Sequence, residues 1–314
     1  MATTTTITSN YAGIVAGEII GKAFKETQTI SQNLVTVLPN VAYQASLRKI
    51  EYTNGKVDYT CGFTPEGAVD LSEKLLVPKK IMNPIQLCKE DFRHVWDNAT
   101  MGFSAHNDDL PKDESTALLN EILKDTAVAV GGEIWTGDSA VSGQIGGFIP
   151  KFVLDGDVVK ANNGIVPIGA AITKANVQSE IEKVIDAISL IDGLLGRTDI
   201  VFGVSRNVAT AYMQALVSAG ISNGLGGADM DLYYGAYKMT IIDDLPSNTI
   251  VCYQVKNLYF GTGLMQDFNE MKLVDEDEIG LLTGQVRGKM VYTGGTQYVN
   301  STEIVWYLSS TTPA

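Results

Sequence analysis

Apolar and polar positions recur with two different periods along this chain, and the change of period marks its elements. From Asp113 to Gly137, Leu118, Leu119, Ile122 and Leu123 recur at three- and four-residue spacing, with Glu114, Glu121, Lys124 and Asp125 on the other side. That spacing predicts an amphipathic helix over 113–137. Asp113 suits its start, where a carboxylate accepts an orphan backbone N–H, and Gly137 suits the left-handed cap at its end. At about 1.5 Å per residue the helix is roughly 35–38 Å long. Its second half, Thr126 to Ile134, is apolar all round apart from Thr126 and Glu133, so burial on every side is expected. Gly131 and Gly132 each cost about 1 kcal/mol against alanine in a helix. Close approach of another backbone is the expected reason for them.

A period of two appears first at 48–61. Asn54-Gly55 is the preferred pair for a two-residue type I′ turn, which sets Tyr52 opposite Val57 and Ile50 opposite Tyr59 on one face. The same register opposes Glu51 and Asp58, a like-charge mismatch. Residues 70–87 read as strand interrupted by Pro78 and Pro84, which confine it to a sheet edge or a bulge. Before the hairpin lie a Thr/Ser/Gly-rich stretch with an apolar patch, Tyr11 to Phe24, and a short apolar segment, Leu34 to Leu38, stopped by Pro39. A short helix is expected at Glu90 to Asn98. A glycine-rich connection, Asp138 to Pro150, follows the long helix and runs into an unpatterned stretch to Gly169.

From Thr173 onward helix and strand alternate. A helix carries Val177, Ile181, Val184, Ile185, Ile188 and Ile191, a strand covers 199–204, and Ser205 suits the cap of a helix closed by Gly220. Strands are expected at 237–243, 249–255, 258–260 and 270–274. Two more, 284–293 and 297–308, flank Gly294-Gly295 and are free to return to the long helix.

Charge and chemistry narrow the function classes. The 314 residues hold 23 Lys plus Arg against 36 Asp plus Glu, a net −13, and no stretch of sequence clusters the cations. A sequence-independent nucleic-acid binder needs such a cluster to displace counterions. No apolar run reaches the ~18 residues of a membrane helix. The start lacks a signal peptide's basic and apolar regions. Cys61, Cys88 and Cys252 form no close pair, so buried free thiols are expected rather than disulfides or a zinc knuckle. The acidic run Asp275 to Glu278 suits a hard cation or, more simply, a solvated loop. Ser104, His106 and Asp108 are too close along one loop to converge as a catalytic triad. Gly143 to Gly147 and Gly224 to Gly227 lack the Lys-Ser/Thr end of a phosphate loop and read as connectors. Asp229-Met-Asp231 and Asp243-Asp244 read as turns. No catalytic, cofactor-binding or metal-binding constellation emerges.

The order of elements carries a resemblance: a loose arm, a long hairpin with an edge strand, a long helix, a compact α/β unit and returning strands. It resembles the major capsid protein of tailed phages (Caudoviricetes), with its α+β Hong Kong 97 fold. Glu133-Ile-Trp-Thr-Gly137-Asp138 followed by Gly146-Gly147-Phe148 is similar to that family's spine-helix exit. Leu245-Pro246, Thr249 to Val251 and Leu258-Tyr-Phe-Gly261-Thr262 are similar to its A-domain strands. Cys61-Gly-Phe-Thr-Pro, Leu75 to Pro78 and Leu87-Cys88 are similar to the E-loop and P-domain strand of Bacteroidetes-type phage coats. The resemblance implies an N-terminal arm over 1–47 and an E-loop with edge strand over 48–87. A P-domain with its spine helix follows over 88–172, then an A-domain over 173–265 and strands returning to the P-domain over 266–314.

It implies copies assembling into hexamers and pentamers of an icosahedral head, made in the host cytoplasm, around double-stranded DNA that is touched weakly. The implied partners are the chain itself, portal, scaffolding and decoration proteins, with no membrane, no enzymatic activity and no cofactor. The subunit interface is expected at Ile50, Tyr52, Asn54, Gly55, Val57 and Tyr59 of the hairpin and at Gly131 and Gly132 of the long helix. An encapsulin-like compartment and a soluble α/β enzyme built on 173–265 remain alternatives. Free subunits are expected to bind duplex DNA weakly at physiological salt; a steep salt slope with submicromolar affinity in a titration would contradict this.

Overall fold

The computed structural model describes residues 28–53, 55–59, 61–62, 66–88, 112–161, 171–194, 196–220, 232–263, 272–277, 280 and 283–308. The arm patch 11–24, the expected helix 90–98 and the loop 224–227 lie outside them.

A six-stranded sheet and a five-stranded sheet organise the chain. The first contains β5 (Val159–Lys160), β6 (Ile200–Val204), β7 (Leu232–Tyr234), β8 (Tyr237–Ile241), β9 (Thr249–Gln254) and β13 (Val305–Leu308), in the order β5-β13-β9-β6-β8-β7. Every residue of β9 is buried. Its alternation explains how: Val251 and Tyr253 enter one hydrophobic core, while Ile250 and Cys252 enter another. A strand buried on both faces carries no polar alternation, which is why 249–255 reads as a plain apolar run.

Two helices cover one face, α4 (Val177–Ser189) and α5 (Arg206–Ser218). Val177, Ile181, Val184 and Ile188 of α4 are fully buried, as their spacing predicts. Ser205 occupies the N-cap position of α5 but makes no cap bond. Its hydroxyl donates to Asn207 Oδ1 at 2.8 Å and accepts from the Thr249 N–H, tying α5 to β9.

The long helix α2 (Lys112–Thr136) and the short α3 (Phe148–Leu154) cover the other face. Here Ile134, Trp135, Phe148 and Phe152 are fully buried beside Tyr253, Trp306 and Tyr298. Ring centroids step from Tyr253 to Trp135 at 6.0 Å, Phe148 at 5.5 Å, Phe152 at 6.1 Å and Tyr298 at 5.4 Å. Such tilted or offset contacts each add about 0.5–1.5 kcal/mol beyond area burial. The sequence reading leaves 148–154 unpatterned. Gly147 sits tightly against the turn after α2, and the ring series then fixes α3.

The five-stranded sheet joins β1 (Thr36–Leu38), β10 (Leu258–Gly261), β12 (Gln285–Tyr298), β11 (Lys272–Asp275) and β4 (Lys79–Cys88). Within it β4 pairs only β12, so Pro84 lies on an edge strand as expected. The two closing strands are rearranged. Residues 285–298 form one unbroken strand through Gly294-Gly295, because a side chain there would meet Ile145 or the Val77–Pro78 backbone. The chain then turns at Ser301–Glu303, and β13 pairs β9.

The hairpin turn is also corrected. β2 (Ala45–Thr53) pairs β3 (Ala68–Leu76), setting Tyr52 opposite Val69 and Ile50 opposite Leu71, not Val57 and Tyr59. This register buries Leu47 and Leu76 at the inner end and sets Arg48 opposite Glu73; a turn at 54–55 forfeits both. Glu51 keeps a like-charged partner, Asp70 in place of Asp58. A Cβ on Gly55 would run into the Gly67 backbone, so these two glycines close the neck of the loop between the strands.

The second half of α2 is buried on one side only. Ala127, Val130 and Ile134 face the core, while Val128 is 67% exposed and Ala129 is exposed. The atoms nearest a Cβ on Gly131 belong to a side chain, the Asp244 carboxyl group, rather than to a backbone. A Cβ there would lie 2.7 Å from Asp244 Oδ1, whereas one on Gly132 would meet nothing within 4 Å. Gly132→Ala is therefore expected to stabilise the subunit by about 1 kcal/mol. Gly131→Ala is expected to destabilise it, because Asp244 must move. Urea unfolding of the two variants checks the opposite signs.

Candidate subunit interface

The β2–β3 ribbon projects two unlike faces. Paired residues of an antiparallel ladder share a face, so Arg48/Glu73, Ile50/Leu71 and Tyr52/Val69 lie on one side. Leu47/Lys74, Lys49/Ser72 and Glu51/Asp70 lie on the other. On the first side Ile50, Tyr52, Val69 and Leu71 are 69%, 66%, 60% and 71% exposed. Four large apolar side chains on one ribbon face, open to water, are the signature of a contact surface.

The inner end of the ribbon is fixed. Leu47 and Leu76 pack with Val41 in a small core of their own. Lys49 Nζ donates to Asn300 Oδ1 at 2.8 Å, and Gln297 Nε2 donates to the Leu75 carbonyl at 2.9 Å. Lys74 Nζ reaches Asp155 Oδ2 at 3.1 Å and lies 3.9 Å above the Tyr298 ring. Burial opposes the charge on Asp155, but donation from Tyr298 Oη, the Asp157 N–H and Lys74 brings its carboxyl below the ordinary value. Beneath them Lys151 donates to the Thr296 carbonyl. Burial, helped by the charge of Lys74, lowers its pKa to about 8.

A second surface lies where β4, β12 and β11 run side by side. Met82, Pro84, Ile85, Gln86, Val274, Arg287, Gly288 and Lys289 line a groove of about 770 Å³. Arg287 Nε bonds Glu276 Oε1 at 2.7 Å, and Lys289 is exposed. Glu276, in the acidic run read as a hard-cation site or a solvated loop, is 3% exposed and held by Arg287 and Thr283. The groove is apolar and basic. The outer part of the ribbon and its loop carry Glu51, Asp58, Glu66 and Asp70 against Lys56.

The expected interface residues divide into groups. Ile50 and Tyr52 share the open ribbon face, Val57 and Tyr59 are exposed in the loop beyond it, and Gly55 closes the neck. Asn54 lies outside the described residues. Gly131 faces Asp244 inside the subunit, and Gly132 stands on the partly open side of α2. Sequence reading missed Val69 and Leu71, although their alternation within 68–76 was a usable signal. It missed the groove, which gathers residues far apart in sequence. Cys252 is buried, its thiol pushed up to about 12 by burial, while Cys61 and Cys88 are exposed rather than buried. The positions Ser104, His106, Asp108 and 229–231 lie outside the described residues, among which no cluster of metal-ligating side chains occurs.

No family model matches the sequence, and no curated protein matches it. Solved structures do match its fold. The capsid of a native GTA particle aligns with a TM-score of 0.54 at 13% identity, over 98% of this chain and 94% of that one. The capsid of Myoviridae phage XM1 aligns at 0.56 and 9% identity, over 98% and 96%. A virus-like particle from Pyrococcus furiosus aligns at 0.52 and 8% identity, over 94% and 98%. Long helix, projecting ribbon and two sheets together make this α+β chain a bearer of the tailed-phage major capsid fold, of the Hong Kong 97 type.

Proposed function

We propose that this chain is a structural protein, the major capsid protein of a tailed phage, and that its copies associate into the hexamers and pentamers of a closed head around double-stranded DNA. The observation that carries this reading is the ribbon. An apolar face of Ile50, Tyr52, Val69 and Leu71 projects from an inner end anchored by Lys49, Lys74 and Leu76, and a second copy is the natural cover. Burying a side chain of this size contributes about 1.5–3 kcal/mol, less the cost of ordering. In this reading residues 1–47 are the arm, 48–87 the E-loop with its edge strand, and 88–172 the P-domain. Residues 173–265 are the A-domain, and 266–314 run back toward the P-domain. Portal, scaffolding and decoration proteins are the partners, and assembly takes place in the host cytoplasm. Among the described residues no helix is long and apolar enough to cross a membrane.

The groove supports one docking arrangement. Its apolar floor fits the ribbon face of a neighbouring copy, and Lys289 suits the acidic loop beyond that face at Asp58. A compartment filled with protein cargo is the second reading, favoured by the likeness to the virus-like particle. Nucleic acid or protein inside purified particles separates the two.

Exposed ion pairs are worth about 0.2–1 kcal/mol each, but every subunit in a shell repeats them. Asp58→Lys and Lys289→Asp are each expected to lower the yield of shells, and the double variant to restore it, by sedimentation and negative-stain imaging. Shells indifferent to all three variants would rule out the groove as the receiving surface. Wild-type protein that forms no shell, alone or with scaffolding, would rule out the capsid reading.

A further inference from the structure

The junction between α2 and the six-stranded sheet is crossed by α1 (Gln28–Ser31), a single turn of helix. One turn is far too short to be stable alone, so side chains must hold it. Gln28 acts as a piece of strand: its Nε2 donates to the Ile241 carbonyl at 2.9 Å and its Oε1 accepts from the Asp243 N–H at 2.8 Å. Thr29, fully buried, sits in a relay. Trp135 Nε1 on α2 donates to Thr29 Oγ1 at 2.9 Å, and the same hydroxyl donates to Asp244 Oδ2 at 2.9 Å. The Thr29 N–H also donates to Asp244. Three segments far apart in sequence meet at one carboxylate. Gly131 is glycine because that carboxylate lies against it.

The geometry points to residues 28–31 being a releasable strap, clamped across α2 and the six-stranded sheet by the Trp135–Thr29–Asp244 relay and loosened when Asp244 ionises. This holds for the single subunit and does not rest on the capsid reading. Among the described residues, the groups around the carboxylate offer no further compensation. From its own turn, Asp243 adds a like charge and is itself paired with Arg206 of α5 at 3.0 Å. From α2 come Gly131 and Trp135, and from α1 come Gln28 and Thr29, all uncharged. Burial, and secondarily the charge of Asp243, raises the Asp244 pKa, while the Thr29 donors only partly offset it.

The direction of the pH effect follows from linkage. With the strap open, Asp244 meets water and titrates near the ordinary ~3.9. With the strap closed it titrates higher, so closure takes up a proton. Closure is therefore strongest below the ordinary aspartate value and weakens as pH rises through the closed-state value. Opening frees Gln28 and Thr29 and lifts Ile30 from the edge of the core that holds Trp135.

The Trp135 indole N–H reports closure directly. The experiment uses the full chain with ¹⁵N-labelled tryptophan, the Trp135 signal assigned by Trp135→Phe, and indole hydrogen exchange from pH 4.5 to 7.5 after correction for the intrinsic rate. In the wild type protection is expected to fall as pH rises. Asp244→Asn keeps an acceptor oxygen without the charge, and its protection at pH 7 is expected to exceed wild type with no pH trend. Thr29→Val removes the relay and should lose protection at every pH. A flat wild-type profile overturns the strap on its own, even if the Asn variant fails to fold. So does an Asn variant protected no better than wild type at pH 7, or a Thr29→Val variant with Trp135 still protected.

Discussion

Double-sided burial of β9 is the constraint on which the rest of the structure depends. A strand whose six residues are all buried needs cover on both faces and partners on both edges. The partners are β6 and β13. The cover is α4 and α5 on one side, α2 and α3 on the other. That requirement draws β13 into the sheet from far along the chain and seats the ring series from Tyr253 to Tyr298. It also sets the long helix beside the Asp243–Asp244 turn that follows β8, where α1 crosses. A polar residue at 251 would strand an unpaired group in the core that holds Trp135 and Trp306, at a cost of about 1–3 kcal/mol.

Elements with a strong local period were legible in the sequence. The long helix, α4, α5 and the strands at 200–204, 237–241 and 249–254 all announce themselves through helical spacing or compact apolar runs. Elements defined by distant partners were not. Nothing local in Phe148–Leu154 says helix until Trp135 and Tyr298 stand beside it. Asn54-Gly55 says tight turn until the ladder from Ala45 to Leu76 outweighs it. The apolar run at Thr126–Ile134 says burial all round, because sequence cannot tell a helix covered by its own chain from one with an open side, as at Val128. The open ribbon face was half legible: Ile50 and Tyr52 stood out, while Val69 and Leu71 needed the register. The groove and the relay at Asp244 are purely tertiary, made by residues hundreds of positions apart.

The molecule divides its stability unevenly. The two large cores carry aromatic and aliphatic side chains at full burial, and local opening there approaches global unfolding. The ribbon is held at its inner end by one small core and a few charged contacts. The strap is held by a relay of hydrogen bonds. Regions that meet other molecules or change conformation are drawn from this low-stability end in many proteins, and here that end comprises the ribbon and the single turn of α1 across the six-stranded sheet.

The glycine pair at the neck of the ribbon loop separates two properties that a hairpin normally couples. In a tight turn, loop length dictates which residues face each other. Where Gly55 and Gly67 touch, the loop closes on itself before the ladder begins, and its contents no longer bear on strand register. Lengthening a loop that is already closed adds only a slowly growing entropy, about 0.6 kcal/mol per doubling. The sequence between the two glycines is therefore free to change in length and chemistry without shifting the pairing of Ala45–Thr53 with Ala68–Leu76.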